Sequence, residues 1–513
     1  MDSSLALLSG ALLALSFPKF GHPAFAWVAL TPLIVALVRR SAARPGVRRA
    51  FFLGLLAGAV CFAGTLYWLV ETMTTFGGLP VPVAIFAAAL LVAYLSLFPA
   101  AFAVAIDRFH RAFGAAFAVV AAPAIWMTTE LGRQYVWDGF PWALLGYSQI
   151  EVLPIAQIAS VTGVYGLSGL LVLVSAALAL VIVDRSGRRW GVAAIAAALV
   201  AGCAWWGSAR IASGSLTAAG DPMRVAVIQG NILQDDKWNP ALRDIIIGRY
   251  VQMTRQAIEQ GARFVVWPES SLPVYFDEDP IRSQVLRRLA REHGVTLLVG
   301  SDQVERTRPD APADDPANRF YNAAFLVRPD GTTGAVYRKM HLVPFGEYVP
   351  LQRILFFVGP IVESVSNFTP GLDPVLLPLG DHKISTAICY EVIYGNLMRR
   401  FVTDGSELLT TITNDAWYGR SSAAYQHWDQ AAMRSIENGR YLARAANTGV
   451  SGFVDPYGRA LQKSSLFEQT VLVQEIRLLR ERTIYSRIGD LVAWLALAFT
   501  AAALLVAWRL RVQ

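Results

Sequence analysis

The chain has 513 residues, 54% of them hydrophobic and only 16% charged, with a formal net charge of +7. Soluble domains carry roughly 25% charged residues, so a wholly soluble enzyme is excluded and a membrane protein with one polar domain is indicated. The positive charge lies largely in short loops between apolar runs, not in a stripe interleaved with aromatics, which argues against a nucleic-acid partner.

Apolar runs at about 3–18, 23–38, 50–70, 81–105, 113–129, 160–183, 190–207 and 488–508 predict eight transmembrane helices. Each approaches the length that a hydrocarbon core of ~30 Å requires, the first two being short enough to tilt or lie partly in the interface. The first run lacks a basic n-region and further spans follow it, so it predicts an uncleaved helix and not a signal peptide. An eight-span layout puts every arginine-rich segment on one side: Arg39, Arg40, Arg44, Arg48 and Arg49, then Arg108 and Arg111, then Arg185, Arg188 and Arg189, then Arg509 and Arg511. The positive-inside rule makes that side cytoplasmic and leaves the polar domain outside. The outward segment 130–159 carries Trp137, Phe140, Trp142 and Tyr147. It reads either as an interfacial support for the polar domain or as a plain aromatic belt.

From 208 to 485 the pattern changes. Strand-length runs at 225–230, 264–269, 296–302, 322–327, 384–391 and 408–415 alternate with helical patterns. Leu242, Ile246, Tyr250, Met253 and Ala257 repeat at helical spacing before Gly261, and a second helix opens at Asp279-Pro280 and closes at Gly294. Such alternation predicts an α/β domain with its site at strand ends. The expected organisation is a seven-helix transmembrane domain at 1–207, a catalytic domain at 208–485, and a last helix with a cytoplasmic tail at 486–513.

Cys389 is the one cysteine of the polar domain, because Cys61 and Cys203 fall in apolar runs, and no CxxC metal pattern exists. An unpaired thiol in an oxidising compartment is a liability, which favours a retained nucleophile over core filler. A thiol is mostly protonated at neutral pH, so it needs a base or a nearby cation. WPES places Glu269 just past a strand end, YRKMHLVPFGEYVP carries Lys339 and Glu347, and ICYE carries Cys389. No HxxxH or Cys/His cluster supports a metal; His341 and His427 read as structural or rim histidines.

In this order the three segments resemble the Glu–Lys–Cys set of the nitrilase superfamily. The longer phrases QGNILQDDKW (229–238), VVWPESSLP (265–273), YRKMHLVPFGEYVP (337–350), AICYEVIY (387–394) and TNDAWYG (413–419) resemble the apolipoprotein N-acyltransferase family. That resemblance extends over essentially the whole chain. It implies a multi-span α-helical membrane domain with eight transmembrane helices, joined to an α/β nitrilase-like αββα sandwich. Glu269 is then the general base, Lys339 the oxyanion-stabilising cation and Cys389 the nucleophile, with Trp238, Glu347, Tyr390 and Glu391 at further positions needed for activity. The implied reaction is a ping-pong acyl transfer without a cofactor. The donor is a phospholipid, phosphatidylethanolamine, and the acyl chain passes through a Cys389 thioester to the N-terminal amine of the diacylglyceryl-cysteine of apolipoproteins. The implied location is the bacterial inner membrane, with the catalytic domain periplasmic. A membrane-anchored amidase that uses water and a non-catalytic lipoprotein-binding scaffold are the alternatives.

The run 351–368 is too short to span and too apolar for an exposed loop. It reads as an arm that dips into the bilayer, or else as a segment buried on the domain's own core. On the first reading Arg353, Phe356 and Phe357 are candidate lipid contacts, joined by Trp417.

Overall fold

Continuous apolar sequence decides the first two-fifths of the molecule, because in lipid a backbone must satisfy its own hydrogen bonds and a helix does so within one segment. The computed structural model describes residues 1–39, 46–308, 310–312, 315, 317–344, 346–348 and 368–512. Arg40, Arg44, Arg353, Phe356 and Phe357 lie outside the described residues. Six described helices are long and apolar enough to cross a membrane: Val47–Thr65, Val81–Phe113, Ala115–Tyr135, Ala159–Val183, Arg189–Ala218 and Leu491–Leu510. Two shorter apolar helices, Asp2–Ala14 and Pro23–Val38, precede them. The expected count of eight is therefore not established: six have the length and the first two do not.

Among the described residues the polar half contains two six-stranded sheets. Along the chain the strands are β1 (Asp221–Gln229), β2 (Phe264–Val266), β3 (Thr296–Glu305), β4 (Arg319–Val327), β5 (Thr333–Arg338), β6 (Leu377–Leu379), β7 (His382–Ile388), β8 (Leu409–Thr413), β9 (Leu442–Ala446), β10 (Gly452–Val454), β11 (Ala460–Lys463) and β12 (Thr470–Leu478). One sheet has the order β12-β1-β2-β3-β4-β5 and the other β11-β10-β9-β8-β7-β6. β1, β2 and β3 pair in parallel, as do β7, β8 and β9. Parallel neighbours need crossover connections. The helices Arg243–Glu259, Pro280–His293, Gly395–Thr403 and Ala423–Asn438 supply them.

The two sheets pack face to face, with β1 against β9 and β4 against β7, and the helices cover the outer faces. This is the αββα sandwich. Strands buried on both sides carry unbroken apolar runs, which is why the central strands read clearly from the sequence. β12 runs antiparallel to β1 along its whole length, Asp221 opposite Leu478 and Gln229 opposite Thr470. That pairing brings the two connections to the membrane helices side by side.

Local signals were accurate where they are chemical. Asp279 accepts a hydrogen bond from the Arg282 N–H at 3.0 Å, and Gly294 ends that helix with φ 62°. In the run 384–391 the strand ends by presenting Cys389. β7 ends at Ile388, and Cys389–Ile393 form a single 3-10 turn. The segment 130–159 is a support: Trp142 and Tyr147 are buried, and Trp137 alone of its four named aromatics is largely exposed. Trp142 Nε1 donates to Gln426 Oε1 at 2.7 Å, and Arg434 donates to the Tyr147 hydroxyl at 2.6 Å. The Val164 N–H donates to Glu437 Oε1 at 3.0 Å. These buried polar contacts tie the membrane helices to the Ala423–Asn438 helix.

Candidate active site

Glu269 leaves the end of β2 through the segment Trp267-Pro268-Glu269-Ser270. Gly300 in β3 lets that segment cross it closely: a Cβ at 300 would stand 2.2 Å from the Pro268 carbonyl oxygen. Ser270, just beyond, has φ 43°. Both Glu269 oxygens face donors. Oε1 accepts from Asn322 Nδ2 at 2.7 Å and stands 3.5 Å from Lys339 Nζ, while Oε2 accepts from the Asn414 N–H at 2.8 Å. The carboxylate is thereby fixed in orientation by three separate strands or strand ends.

Lys339 follows β5 directly and is 1% exposed. Its Nζ donates to Glu347 Oε1 at 2.9 Å. The same Asn322 amide that holds Glu269 also donates to Glu347 Oε1, at 2.9 Å. Burial pulls the Lys339 ammonium down, but the charges of Glu347 and Glu269 outweigh it, so the lysine is held above its ordinary range and stays cationic.

Cys389 begins the turn after β7 in the left-handed region, φ 52°. For a non-glycine residue this conformation costs roughly 1–2 kcal/mol, and the surroundings must enforce it. Two hydrogen bonds do so. Glu391 Oε2 accepts the Ile388 N–H at 2.7 Å, and His427 Nε2 donates to the Cys389 carbonyl at 3.1 Å. Burial raises the Cys389 thiol above its usual range, the Glu269 charge adds to that, and Lys339 opposes it. The resting group is therefore a thiol, which has to lose its proton as it attacks. Glu269, Lys339 and Cys389 thus form one electrostatic cluster.

The remaining expected residues divide. Glu391 is fully buried and accepts four hydrogen bonds, from Ile388 N–H, Met340 N–H at 2.7 Å, His341 N–H at 3.1 Å and the Tyr337 hydroxyl at 2.8 Å. Burial raises it to about 7 against those donors, so it organises the Lys339 and Cys389 backbones from behind. The Tyr390 ring stacks on Phe140 with centroids 6.3 Å apart, where the membrane half reaches the Cys389 turn. His341 stacks on Tyr394 at 4.4 Å and serves as structure. Trp238 and Trp417 are not drawn into the cluster. Trp238 is 48% exposed, and Trp417 packs on Phe76 while its carbonyl accepts from Thr72 Oγ1 at 2.8 Å.

Sequence reasoning missed Lys237, the neighbour of Trp238. It is 3% exposed and its Nζ donates to the Glu269 carbonyl at 3.0 Å. Burial brings its ammonium down to about 8 against the charges of Glu269 and Asp302. It also missed Asn322, in an apolar run with no local sign of a role, and gave no role to Asn414, although that residue lies in the TNDAWYG phrase. Among the described residues no three His, Cys, Asp or Glu side chains converge as metal ligands.

Comparison with known proteins agrees with this geometry. The Carbon-nitrogen hydrolase family matches residues 224–484, and the Apolipoprotein N-acyltransferase N-terminal domain matches residues 9–177. The apolipoprotein N-acyltransferase of Geobacter metallireducens is 38% identical over 99% of this chain and 95% of its own. That of Methylococcus capsulatus is 36% identical over 97% of this chain and 94% of its own. A solved amidase from Nesterenkonia sp. is a more distant likeness, 21% identical over 51% of this chain and 93% of its own, with a TM-score of 0.36. Near-complete coverage by these relatives, together with the buried cysteine on an αββα sandwich fused to membrane helices, makes the chain a membrane acyltransferase that belongs to the apolipoprotein N-acyltransferase family.

Proposed function

We propose that the chain transfers an acyl chain from a phospholipid to the N-terminal amine of the diacylglyceryl-cysteine of an apolipoprotein by a ping-pong route. Cys389 Sγ attacks the ester carbonyl carbon while Glu269 takes the thiol proton. The tetrahedral oxyanion is stabilised by Lys339 and the Tyr390 N–H, one such donor being worth about 3 kcal/mol. The ester C–O bond breaks, Glu269 returns the proton to the leaving lysophospholipid, and a Cys389 thioester remains. The amine then attacks that carbonyl, Glu269 removes its proton, and the C–S bond breaks to restore the thiol.

The observation that carries the reading is the buried Cys389, held in a left-handed turn within the field of the Glu269–Lys339 pair, on a domain locked to the membrane half. Glu347 holds Lys339, and Glu391 holds the turn. Phosphatidylethanolamine as donor, and lipid contacts at Arg353, Phe356, Phe357 and Trp417, belong to the same proposal. So do a supporting role for Trp238 and a division into 1–207, 208–485 and 486–513. The bacterial inner membrane with a periplasmic catalytic domain is favoured by the arginines. Arg39 and Arg49 both pair with Asp2, and Arg49 lies in the field of Asp107 and Arg111, so these charges share one end of the bundle.

The test is a product analysis with phosphatidylethanolamine labelled in one acyl chain and a diacylglyceryl-cysteine peptide. The proposal requires lysophospholipid and N-acylated peptide in equal amounts. Labelled free fatty acid with no N-acylated peptide would identify a hydrolase and overturn it.

A further inference from the structure

Behind the nucleophile turn lies a second buried charged group that the reaction above does not use. Asp415, His427 and Arg444 are each 1% exposed or less. Arg444 Nη2 donates to Asp415 Oδ2 at 2.9 Å, and the same nitrogen stands 2.9 Å from His427 Nδ1. Thr413 Oγ1 donates to Asp415 Oδ1 at 2.7 Å. The pieces come from β8, the turn after it, the Ala423–Asn438 helix and β9, so the group exists only in the folded domain. It is also closely fitted, since a Cβ at Gly449 would stand 2.2 Å from Asp415 Oδ2.

The chemistry of the partners fixes the proton. The Cys389 carbonyl oxygen can only accept, so His427 Nε2 must carry a hydrogen to bond it at 3.1 Å. Nδ1 of that ring lies between Arg444 Nη2, which can only donate, at 2.9 Å and Asp415 Oδ1, which can only accept, at 3.1 Å, and whichever of the two it bonds, the hydrogen on Nε2 is required. Burial and the Arg444 charge lower His427 from its ordinary range, against the charge and hydrogen bond of Asp415. The Trp142 ring covers the imidazole, with centroids 5.6 Å apart.

We propose that His427 is a positioning residue for the acyl-transfer reaction: its Nε2–H, oriented by Arg444 and Asp415, holds the Cys389 carbonyl and thereby the left-handed turn that aims the thiol at the ester. The inference rests on Cys389 being the nucleophile. An imidazole has no proton to exchange in this role; it works by direction. A thiol displaced by about 1 Å loses on the order of 100-fold in rate.

The experiment compares His427→Gln, His427→Asn and His427→Phe in the full-length protein in micelles with phosphatidylethanolamine. The readouts are the single-turnover rate of acyl-Cys389 formation by intact mass, the half-saturating phospholipid concentration, and the melting temperature. Gln has an amide N–H that reaches the position of Nε2 and an oxygen for Arg444, Asn has the same amide one carbon too short, and Phe has the ring without the donor. Gln should acylate within about tenfold of the native protein, while Asn and Phe should fall by about 100-fold at unchanged half-saturation. Native rates in folded Asn or Phe protein would overturn the assignment, as would a Gln variant no better than Phe. If Asn and Phe both fail to fold while Gln is normal, the group serves stability alone and the assignment also falls. Absence of an adduct on the native protein would instead refute the thioester reading itself.

Discussion

Removing the charge of Lys339 should damage the enzyme in two ways that can be separated. Lys339→Met keeps the length and apolar stem of the side chain but leaves Glu269 and Glu347 facing each other across the single Asn322 amide, at 2.7 and 2.9 Å from it. Breaking a buried pair from one side costs about 3–5 kcal/mol, because the surviving carboxylates stay buried without the cation they share. The loss of the oxyanion contact costs about 3 kcal/mol more in the transition state alone, a factor on the order of 100–1,000 in acylation rate. Lys339→Met should therefore melt several degrees lower and form almost no thioester. Adding Glu347→Gln removes one of the stranded carboxylates, so the double variant should recover most of the melting temperature and none of the rate. Thermal unfolding in detergent and intact-mass measurement of acyl-Cys389 read the two effects independently. Recovery of acylation in the double variant would show that Lys339 serves only to neutralise Glu347, and the oxyanion role would be refuted.

Further outcomes follow from the same geometry. Because Glu269 pushes the Cys389 thiol up and Lys339 pulls it down, alkylation of Cys389 by iodoacetamide should shift to lower pH in Glu269→Gln and to higher pH in Lys339→Met. Glu269→Gln should nonetheless lose turnover, since its more easily ionised thiol has no base to return a proton to the leaving group; an unshifted profile would break the link between the pair. Alkaline phosphatase fused after residue 220 should be active and after residue 187 inactive, the opposite pattern reversing the membrane orientation. Changing Phe356 and Phe357 together to Ser should slow acylation with little change in melting temperature if the 351–368 run meets lipid; a large loss of stability would make the pair core.

What the sequence disclosed follows from what each feature depends on. The helix opened by Asp279 and closed by Gly294 was legible because a cap is a contact within one turn of chain. Glu269, Lys339, Glu347 and Cys389 were legible because each stands in a long phrase at a strand end. Lys237 was not: a lysine after two aspartates looks solvated, and only the fold buries it against the Glu269 carbonyl. Arg444 hid β9, since a charge inside LARAA argues against a buried strand until Asp415, 29 positions away, is brought to it. His427 was read as structural or rim, and its bond to the Cys389 carbonyl joins residues 38 positions apart. The left-handed turn at Cys389 was hidden as well, because nothing local distinguishes it from one more strand residue.

The most direct measurement is the intact mass of the full-length protein after incubation with phosphatidylethanolamine in the absence of any amine acceptor. A thioester on Cys389 predicts a mass increase of one acyl chain that hydroxylamine removes, that a diacylglyceryl-cysteine peptide discharges, and that Cys389→Ser does not form. An unmodified native protein that still acylates the peptide, or a Cys389→Ser variant that turns over normally, would contradict the account.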